Sequence, residues 1–189
     1  MPTGCHVKQL LSEQQIREGV RRLADEIRVY YEGRPVTVVG VLTGSLVLLA
    51  DLIRVLDMPL RVGVIQAHSY HGAATAPGPL LINTDLLPDM QDRHVLLVDD
   101  IFDTGHTLRA LTERFTALRP ASLRSAVLLR KSGRGEVPLQ PDFVGFEIPN
   151  EFVVGYGLDY HDQYRNLPYV AAIEPADVAE ADRAAASPV

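Results

Sequence analysis

Apolar residues near the N-terminus recur every three or four positions. Ile16, Val20, Leu23 and Ile27 share one face of a helix predicted over about residues 13–31. Further along, apolar residues form unbroken runs of strand length that are rich in β-branched side chains. Such runs are typical of strands covered on both faces. The pattern therefore indicates alternating helices and buried strands.

The same reasoning extends along the whole chain. We predict strands at residues 36–42, 61–65, 80–84, 95–99 and 123–129, shorter extended pieces at 143–144 and 152–156, and helices at 46–56 and 107–118. Strands that alternate with helices imply right-handed crossovers and a mainly parallel sheet. Ligands of such sheets bind beyond the carboxyl ends of the strands. We therefore expect an α/β fold with a binding crevice at that edge.

Composition narrows the class of protein. The chain has 189 residues, 47% hydrophobic and 22% charged, as expected for one ordinary globular domain. Its net charge of −6 argues against a nucleic-acid-binding surface, and it contains no apolar run long enough for a membrane span. The single cysteine fits a reducing, cytoplasmic location. We expect one domain over residues 1–173 and a flexible, alanine-rich tail over 174–189.

One segment carries most of the chemistry. Residues 95–108 read VLLVDDIFDTGHTL, so a buried strand meets two adjacent carboxylates, Asp99 and Asp100, and then a small polar loop. Carboxylates accept hydrogen bonds from a vicinal diol and bind metal ions, whereas a glycine loop that opens a helix suits a phosphate. The structural alternative is a solvated strand end followed by a plain turn, with Asp103 as the helix N-cap.

Two separate segments resemble one enzyme family. VDDIFDTGHTL, residues 98–108, looks like the phosphoribosyl-pyrophosphate (PRPP) motif of type I phosphoribosyltransferases. DFVGFEIPNEFVVGYGLDY, residues 142–160, resembles the purine-site region of the hypoxanthine-guanine members of that family. The similarity extends from about Val7 to about Ile173. It implies a mainly parallel twisted sheet flanked by helices, with a small hood formed from the N- and C-terminal segments.

The resemblance also implies where PRPP binds. Its ribose and phosphate would contact Asp99, Asp100, Asp103, Thr104, Gly105, His106 and Thr107. Pyrophosphate would contact Thr43, Gly44 and Arg165. Ser69 and Tyr70 would belong to a flap over the reacting centre. A non-proline cis peptide bond, which family members often carry, would lie between Leu42 and Thr43.

The purine and metal sites follow from the same resemblance. Lys131 would donate to the 6-oxo group, Phe152 would stack on the ring, and the backbone of Val153 would contact the base edge. Asp103 would act as general base near purine N7. Asp159, helped by Asp99 and Asp100, would hold Mg²⁺ as the cofactor. Each residue also has an ordinary structural explanation, such as a solvated lysine at a strand end or an aromatic packed in a strand.

Three positions depart from the family pattern. Thr43 stands where many relatives carry lysine, and His106 occupies a position that relatives often fill with lysine or another residue. Gly135 falls where relatives often have a pyrophosphate-binding arginine. Arg134 lies one place earlier, so the sequence does not assign that role. Arg130 adjoins Lys131, which leaves open an error of one position in the purine contact.

The expected function is purine salvage by transfer of the phosphoribosyl group from PRPP to hypoxanthine or guanine. A preference for xanthine, a PRPP- or nucleotide-sensing RNA-binding regulator, and an inactive structural subunit are the alternatives. The resemblance also implies a homodimer or homotetramer, with PRPP and 6-oxopurines as the small-molecule partners.

Overall fold

The structure is a computed structural model that describes residues 7–68, 81–83 and 87–174. Its strands are β1 (Val7–Leu11), β2 (Val36–Leu42), β3 (Leu60–His68), β4 (Leu81–Asn83), β5 (His94–Phe102), β6 (Ser122–Lys131), β7 (Phe143–Ile148), β8 (Val153–Val154) and β9 (Val170–Ile173). Its helices are α1 (Glu13–Tyr31), α2 (Leu46–Val55) and α3 (His106–Thr116). The expected flap residues, Ser69 and Tyr70, and the tail from residue 175 lie outside the described residues.

A twisted sheet with the strand order β4-β3-β2-β5-β6-β7 forms the centre of the molecule. Strands β3, β2, β5, β6 and β7 are parallel, and β4 pairs with β3 in the antiparallel direction. The expected α/β fold with a mainly parallel sheet is confirmed. Because β2 and β5 are parallel neighbours, their carboxyl ends lie at the same edge of the sheet.

Both faces of the sheet are covered, which explains the unbroken apolar runs. Along β5, Leu96 and Val98 pack into the cluster that contains α1 and α2, whereas Val95 and Leu97 pack into the cluster that contains α3. Successive side chains of a strand point to opposite faces, so each run supplies both clusters. All four side chains are buried.

Local signals fix the ends of α1 where the sequence placed them. The side chain of Ser12 accepts a hydrogen bond from the backbone amide of Gln15, and the side-chain oxygen of Gln15 accepts one from the backbone amide of Ser12. This capping box satisfies two backbone N–H groups that the first turn leaves unpaired. The helix ends at Glu32, which adopts the left-handed conformation.

A second, three-stranded sheet has the order β1-β9-β8 and joins the two ends of the described chain. It is the small hood expected from the resemblance. The apolar pattern did not identify β1 or β9 as strands, and it placed an extended piece at residues 152–156 where only Val153–Val154 is a strand. Short strands are hard to recognise from sequence because they have too few residues to show a period.

Strands β3, β5, β6 and β7 are longer than predicted, whereas β2 has its predicted bounds. Strand β5 was expected to end at Asp99, yet it continues to Phe102 because Ile101 and Phe102 still pair with Leu129 and Arg130 of β6. The acidic residues therefore lie within the last part of the strand. None of the helices that the structure describes is long and apolar enough to cross a membrane.

Replacement of Phe115 by alanine should destabilise the protein strongly. Phe115 of α3 is fully buried in the cluster between α3 and the sheet. Loss of a buried phenylalanine typically costs about 3–5 kcal/mol, which urea unfolding would detect. Leu118→Ala is the matched control, because Leu118 is exposed and should cost about 1 kcal/mol or less. Equal losses in the two variants would contradict this packing.

Candidate active site

The loop between β5 and α3 presents backbone amides at the start of a helix. Gly105 is the N-cap of α3 with a φ of 89°, and no side chain caps the helix there. A Cβ at Gly105 would lie 2.5 Å from Cγ2 of Val137 and 2.8 Å from the Phe102 ring, so the turn requires glycine. The alternative in which Asp103 is the N-cap is wrong. The positive end of α3 therefore faces the loop, as anion binding requires.

Asp99 and Asp100 stand side by side near the carboxyl end of β5. The Asp99 carboxylate accepts a hydrogen bond from the Asp100 amide at 3.0 Å, and the Asp100 carboxylate accepts one from the Ile101 amide at 2.7 Å. Burial and the neighbouring charge of Asp100 hold the pKa of Asp99 well above its ordinary value. Burial also raises the pKa of Asp100. A bound cation or a pair of hydroxyl donors would relieve this crowding.

Gly44 lies directly against the acidic pair. A Cβ at this position would fall 1.6 Å from Oδ2 of Asp100, so no larger residue fits without displacing the carboxylate. Gly157 packs on the other side, where a Cβ would lie 2.1 Å from the Gly44 carbonyl oxygen. The peptide bond between Leu42 and Thr43 is cis, as the resemblance implied. The loop after β2 thus meets both β5 and the C-terminal segment.

Asp103 is held by two cationic side chains. Lys131 Nζ donates to Oδ2 at 3.0 Å and Arg134 Nε donates to Oδ1 at 2.8 Å. Partial burial raises the pKa of the Asp103 carboxyl, but the hydrogen bonds from Arg134 and Lys131 outweigh it and leave the pKa below its ordinary value. Arg130, the neighbour of Lys131, instead pairs with Glu147. The geometry therefore favours Lys131 over Arg130 as the residue that faces the loop.

A second set of contacts connects the segment after β6 to the loop of residues 103–107, the phosphate loop. The Glu136 amide donates to the Thr104 carbonyl oxygen at 2.9 Å. The Glu136 carboxylate lies 2.9 Å from Nε2 of His106, and Arg109 Nη2 lies 3.5 Å from Nδ1 of the same ring. His106 is thus engaged with an acid of its own chain.

Arg165 and Asp159 form a pair at the C-terminal side. Arg165 Nη2 lies 2.9 Å from Asp159 Oδ1, and Arg165 Nη1 donates to the Gly157 carbonyl oxygen at 2.9 Å. The other Asp159 oxygen accepts from the Asp162 amide at 2.9 Å. Arg165 also lines a separate cavity of about 590 Å³ between α1, α2 and the segment 165–168. The charge of Arg165 lowers the pKa of Asp100, but burial raises this pKa by more.

Two of the residues proposed for the purine, Phe152 and Val153, lie at the start of β8, whereas Lys131 ends β6. The Phe152 side chain is 43% exposed, and its ring meets Tyr160 edge-on at a centroid distance of 5.3 Å. Val153 is buried and pairs with Ala172 of β9. Lys131 pairs with Ile148 at the end of β7, four residues before Phe152. The exposed aromatic ring is therefore close in sequence to the strand end that faces Lys131.

One cavity of about 280 Å³ collects most of the predicted sugar-phosphate residues. Its lining includes Gly44, Asp99, Asp100, Asp103, Thr104, Gly105 and Thr107. Of the other predicted site residues, Thr43, His106, Lys131, Phe152, Val153, Asp159 and Arg165 are not on this lining, although Lys131 reaches it through Asp103. The structure thus unites the acids, the loop of residues 103–107 and Gly44, and connects Lys131 to them through Asp103.

The sequence did not assign Arg134 or Glu136 to the site. The available signal was a cluster of charged residues directly after a buried strand, because Lys131, Arg134 and Glu136 fall within six positions. Spacing in an irregular loop does not reveal which partner each charge faces. The contacts with Asp103, Thr104 and His106 appear only once the chain is folded.

Comparison with known proteins agrees with this geometry. Residues 6–161 match the phosphoribosyl transferase domain family. The hypoxanthine-guanine phosphoribosyltransferase of Streptococcus pneumoniae strain R6 is 40% identical over 167 residues, which cover 88% of this chain and 93% of the relative.

Solved structures give the same result. A hypoxanthine-guanine phosphoribosyltransferase from Bacillus anthracis has 37% identity and a TM-score of 0.82, with 90% of this chain and 100% of that chain covered. A mutant hypoxanthine phosphoribosyltransferase from Trypanosoma cruzi, complexed with the product IMP, has 35% identity and a TM-score of 0.86, with 96% and 98% covered. The chain therefore belongs to the hypoxanthine-guanine phosphoribosyltransferase family.

Proposed function

We propose that this protein transfers the 5-phosphoribosyl group of PRPP to N9 of hypoxanthine or guanine, which gives IMP or GMP and pyrophosphate. The bond between C1 of the ribose and the pyrophosphate oxygen breaks, and pyrophosphate leaves with the electron pair. A bond from N9 to C1 forms on the opposite face, with inversion. The purine loses one proton in the process.

The observation that carries this proposal is the shared cavity of the acidic pair and the phosphate loop. Asp99 and Asp100 supply acceptors for two ribose hydroxyls, and the amides of the loop supply donors for a phosphate. A sugar phosphate needs both kinds of group a few ångströms apart. The negative charge of the pair would also stabilise the cationic character that develops on the ribose.

The contacts of Lys131 support a 6-oxopurine as the acceptor. An ammonium group has only donors, so it favours a keto oxygen over the exocyclic amine of adenine. Lys131 lies at the end of β6 with its Nζ already hydrogen-bonded to Asp103. The exposed Phe152 ring offers a surface on which a flat base can stack.

Asp103 is the proposed general base. A carboxylate next to purine N7 can accept the proton that the base releases when N9 attacks. The lowered pKa of Asp103, which hydrogen bonds from Arg134 and Lys131 maintain against burial, keeps the carboxylate ionised near neutral pH. Its position in the loop also allows it to approach both substrates.

The donor set suits Mg²⁺. Asp99, Asp100 and Asp159 offer the hard oxygen ligands that this ion prefers. The raised pKa of Asp99 indicates that a nearby positive charge would stabilise its carboxylate. No group of three or more metal-binding side chains occurs among residues 7–68, 81–83 and 87–174. That fits an ion that uses one or two carboxylates and takes its other ligands from substrate and water. Bound Mg²⁺ would neutralise the pyrophosphate.

The competing proposals differ in testable ways. A preference for xanthine would keep the same chemistry with another base. An RNA-binding regulator would need a basic face and no turnover, and the net charge of −6 weighs against it. The homodimer or homotetramer and the cytoplasmic location stay predictions. Light scattering of the purified protein measures the first.

PRPP-dependent conversion of each free purine tests the proposed function. Hypoxanthine and guanine should be converted to nucleotides in the presence of Mg²⁺, while adenine should react at least about 100-fold more slowly because its 6-amino group cannot accept from Lys131. Removal of Mg²⁺ with a chelator should abolish turnover. Comparable rates with adenine, or no PRPP-dependent product from any purine, would contradict the proposal.

Asp103→Asn should reduce turnover by about 100-fold or more, since general base catalysis typically contributes this much. The KM for PRPP should change little, because the amide retains the size and the hydrogen-bonding oxygen of the carboxylate. Steady-state kinetics with hypoxanthine provide both values. Equal losses in kcat and in PRPP affinity would count against the base role.

Lys131→Gln should weaken the reaction with hypoxanthine by about 10- to 100-fold in kcat/KM, as expected for a lost hydrogen bond from a charged group. The reaction with adenine should gain relative to hypoxanthine, since the glutamine oxygen can accept from the 6-amino group. Arg130→Gln is the matched control, because Arg130 pairs with Glu147 away from Asp103. If Arg130→Gln alters the preference and Lys131→Gln does not, the purine contact belongs to Arg130.

A further inference from the structure

The two oxygens of the Asp103 carboxylate are divided between two cations. Lys131 holds Oδ2 and Arg134 holds Oδ1. We propose that Arg134 is a positioning residue, which keeps the Asp103 carboxylate oriented while Lys131 turns from Asp103 to the 6-oxo group of the incoming purine. This inference rests on the proposed function, and in particular on Asp103 as the base.

The proposed movement of Lys131 follows from its two possible partners, the Asp103 carboxylate and the purine. The Lys131 ammonium donates to Asp103, and the same ammonium is the candidate donor to the purine. When it turns to the purine, Oδ2 of Asp103 is released on the side from which the base arrives. Arg134 stays on Oδ1, so the carboxylate does not rotate freely about its Cβ–Cγ bond. The free oxygen then faces the proton to be removed.

Arg134 can hold this position because its segment is fixed to the phosphate loop. Two residues after Arg134, the Glu136 amide bonds the Thr104 carbonyl oxygen, and the Glu136 carboxylate contacts His106. The next residue, Val137, lies under Gly105, where a Cβ would come within 2.5 Å of it. These contacts leave the arginine a short, defined distance from Asp103. The Arg134 side chain is itself 40% exposed.

The charges around Asp103 determine the expected pH dependence. Lys131 and Arg134 face its carboxylate, Glu136 acts on Arg134, His106 lies at the other side of the loop, and Asp99 and Asp100 lie on the preceding strand. Burial raises the pKa of Asp103, and the hydrogen bond from Arg134 is the largest single influence that lowers it. Without Arg134 the pKa rises, so less carboxylate is ionised at a given acidic pH. The acid side of the kcat profile should therefore move to higher pH.

Kinetics of Arg134 variants across pH test the inference. Arg134→Gln should lower kcat about tenfold with hypoxanthine, which is less than the loss expected when the base itself is removed. It should shift the acid side of the profile upward and leave the KM for PRPP within about twofold. Arg134→Lys should restore the position of the acid side and part of kcat, since it keeps the charge but not the planar donor. Arg114→Gln, an exposed arginine of α3, should match the unaltered protein.

The double variant Arg134→Gln with Asp103→Asn separates the possible failures. If Arg134 acts through Asp103, Arg134→Gln should cause no further loss of kcat in a protein that already carries Asp103→Asn. The inference is overturned if Arg134→Gln behaves like Arg114→Gln. It is also overturned if Arg134→Gln raises the KM for PRPP or pyrophosphate with kcat and pH profile unchanged, as a pyrophosphate ligand would. Full turnover by Asp103→Asn alone would instead refute the base role in the proposed function.

Discussion

The parallel pairing of β2 with β5 is the constraint on which the site depends. It places the loop after β2 and the acids of β5 at one edge of the sheet, and the missing side chain of Gly44 leaves room for the Asp100 carboxylate. Any Cβ at Gly44 would overlap that carboxylate. The same edge directs the first amides of α3 toward the cavity. The edge thus presents acids on one side of the cavity and amide donors on the other, as the proposed sugar-phosphate site requires.

Asp99, Asp100 and Asp103 lie within five positions of one another but in different environments. Asp99 and Asp100 are crowded and partly buried, so their pKa values rise and they favour a partner that brings positive charge or hydrogen-bond donors. Asp103 is paired with Lys131 and Arg134, which lower its pKa against the effect of burial. Chemically identical side chains thus have opposite pKa shifts, and the proposed function assigns the acidic pair to substrate binding and Asp103 to proton transfer.

The sequence was sufficient for the framework and for the acids. Continuous apolar runs identify β2, β5 and β6 because each face of the sheet is buried, and the polar residues that interrupt them mark the ligand edge. Strands β1 and β9 were not predicted, because they are short and pair with each other across almost the whole length of the chain. Arg134 and Glu136 were not assigned to the site for a related reason. Their partners lie about 30 positions away in the sequence, and the geometry of the loop, which leaves no periodic pattern in the sequence, determines which partner each one contacts.

A crystal structure with bound IMP tests the central claim most directly. The phosphate should lie within hydrogen-bonding distance of the amides of residues 104–107, with the ribose hydroxyls on Asp99 and Asp100 and the base between Lys131 and Phe152. Arg134 should still contact Asp103. A nucleotide bound instead in the larger cavity between α1 and α2, with the phosphate loop empty, would contradict the account.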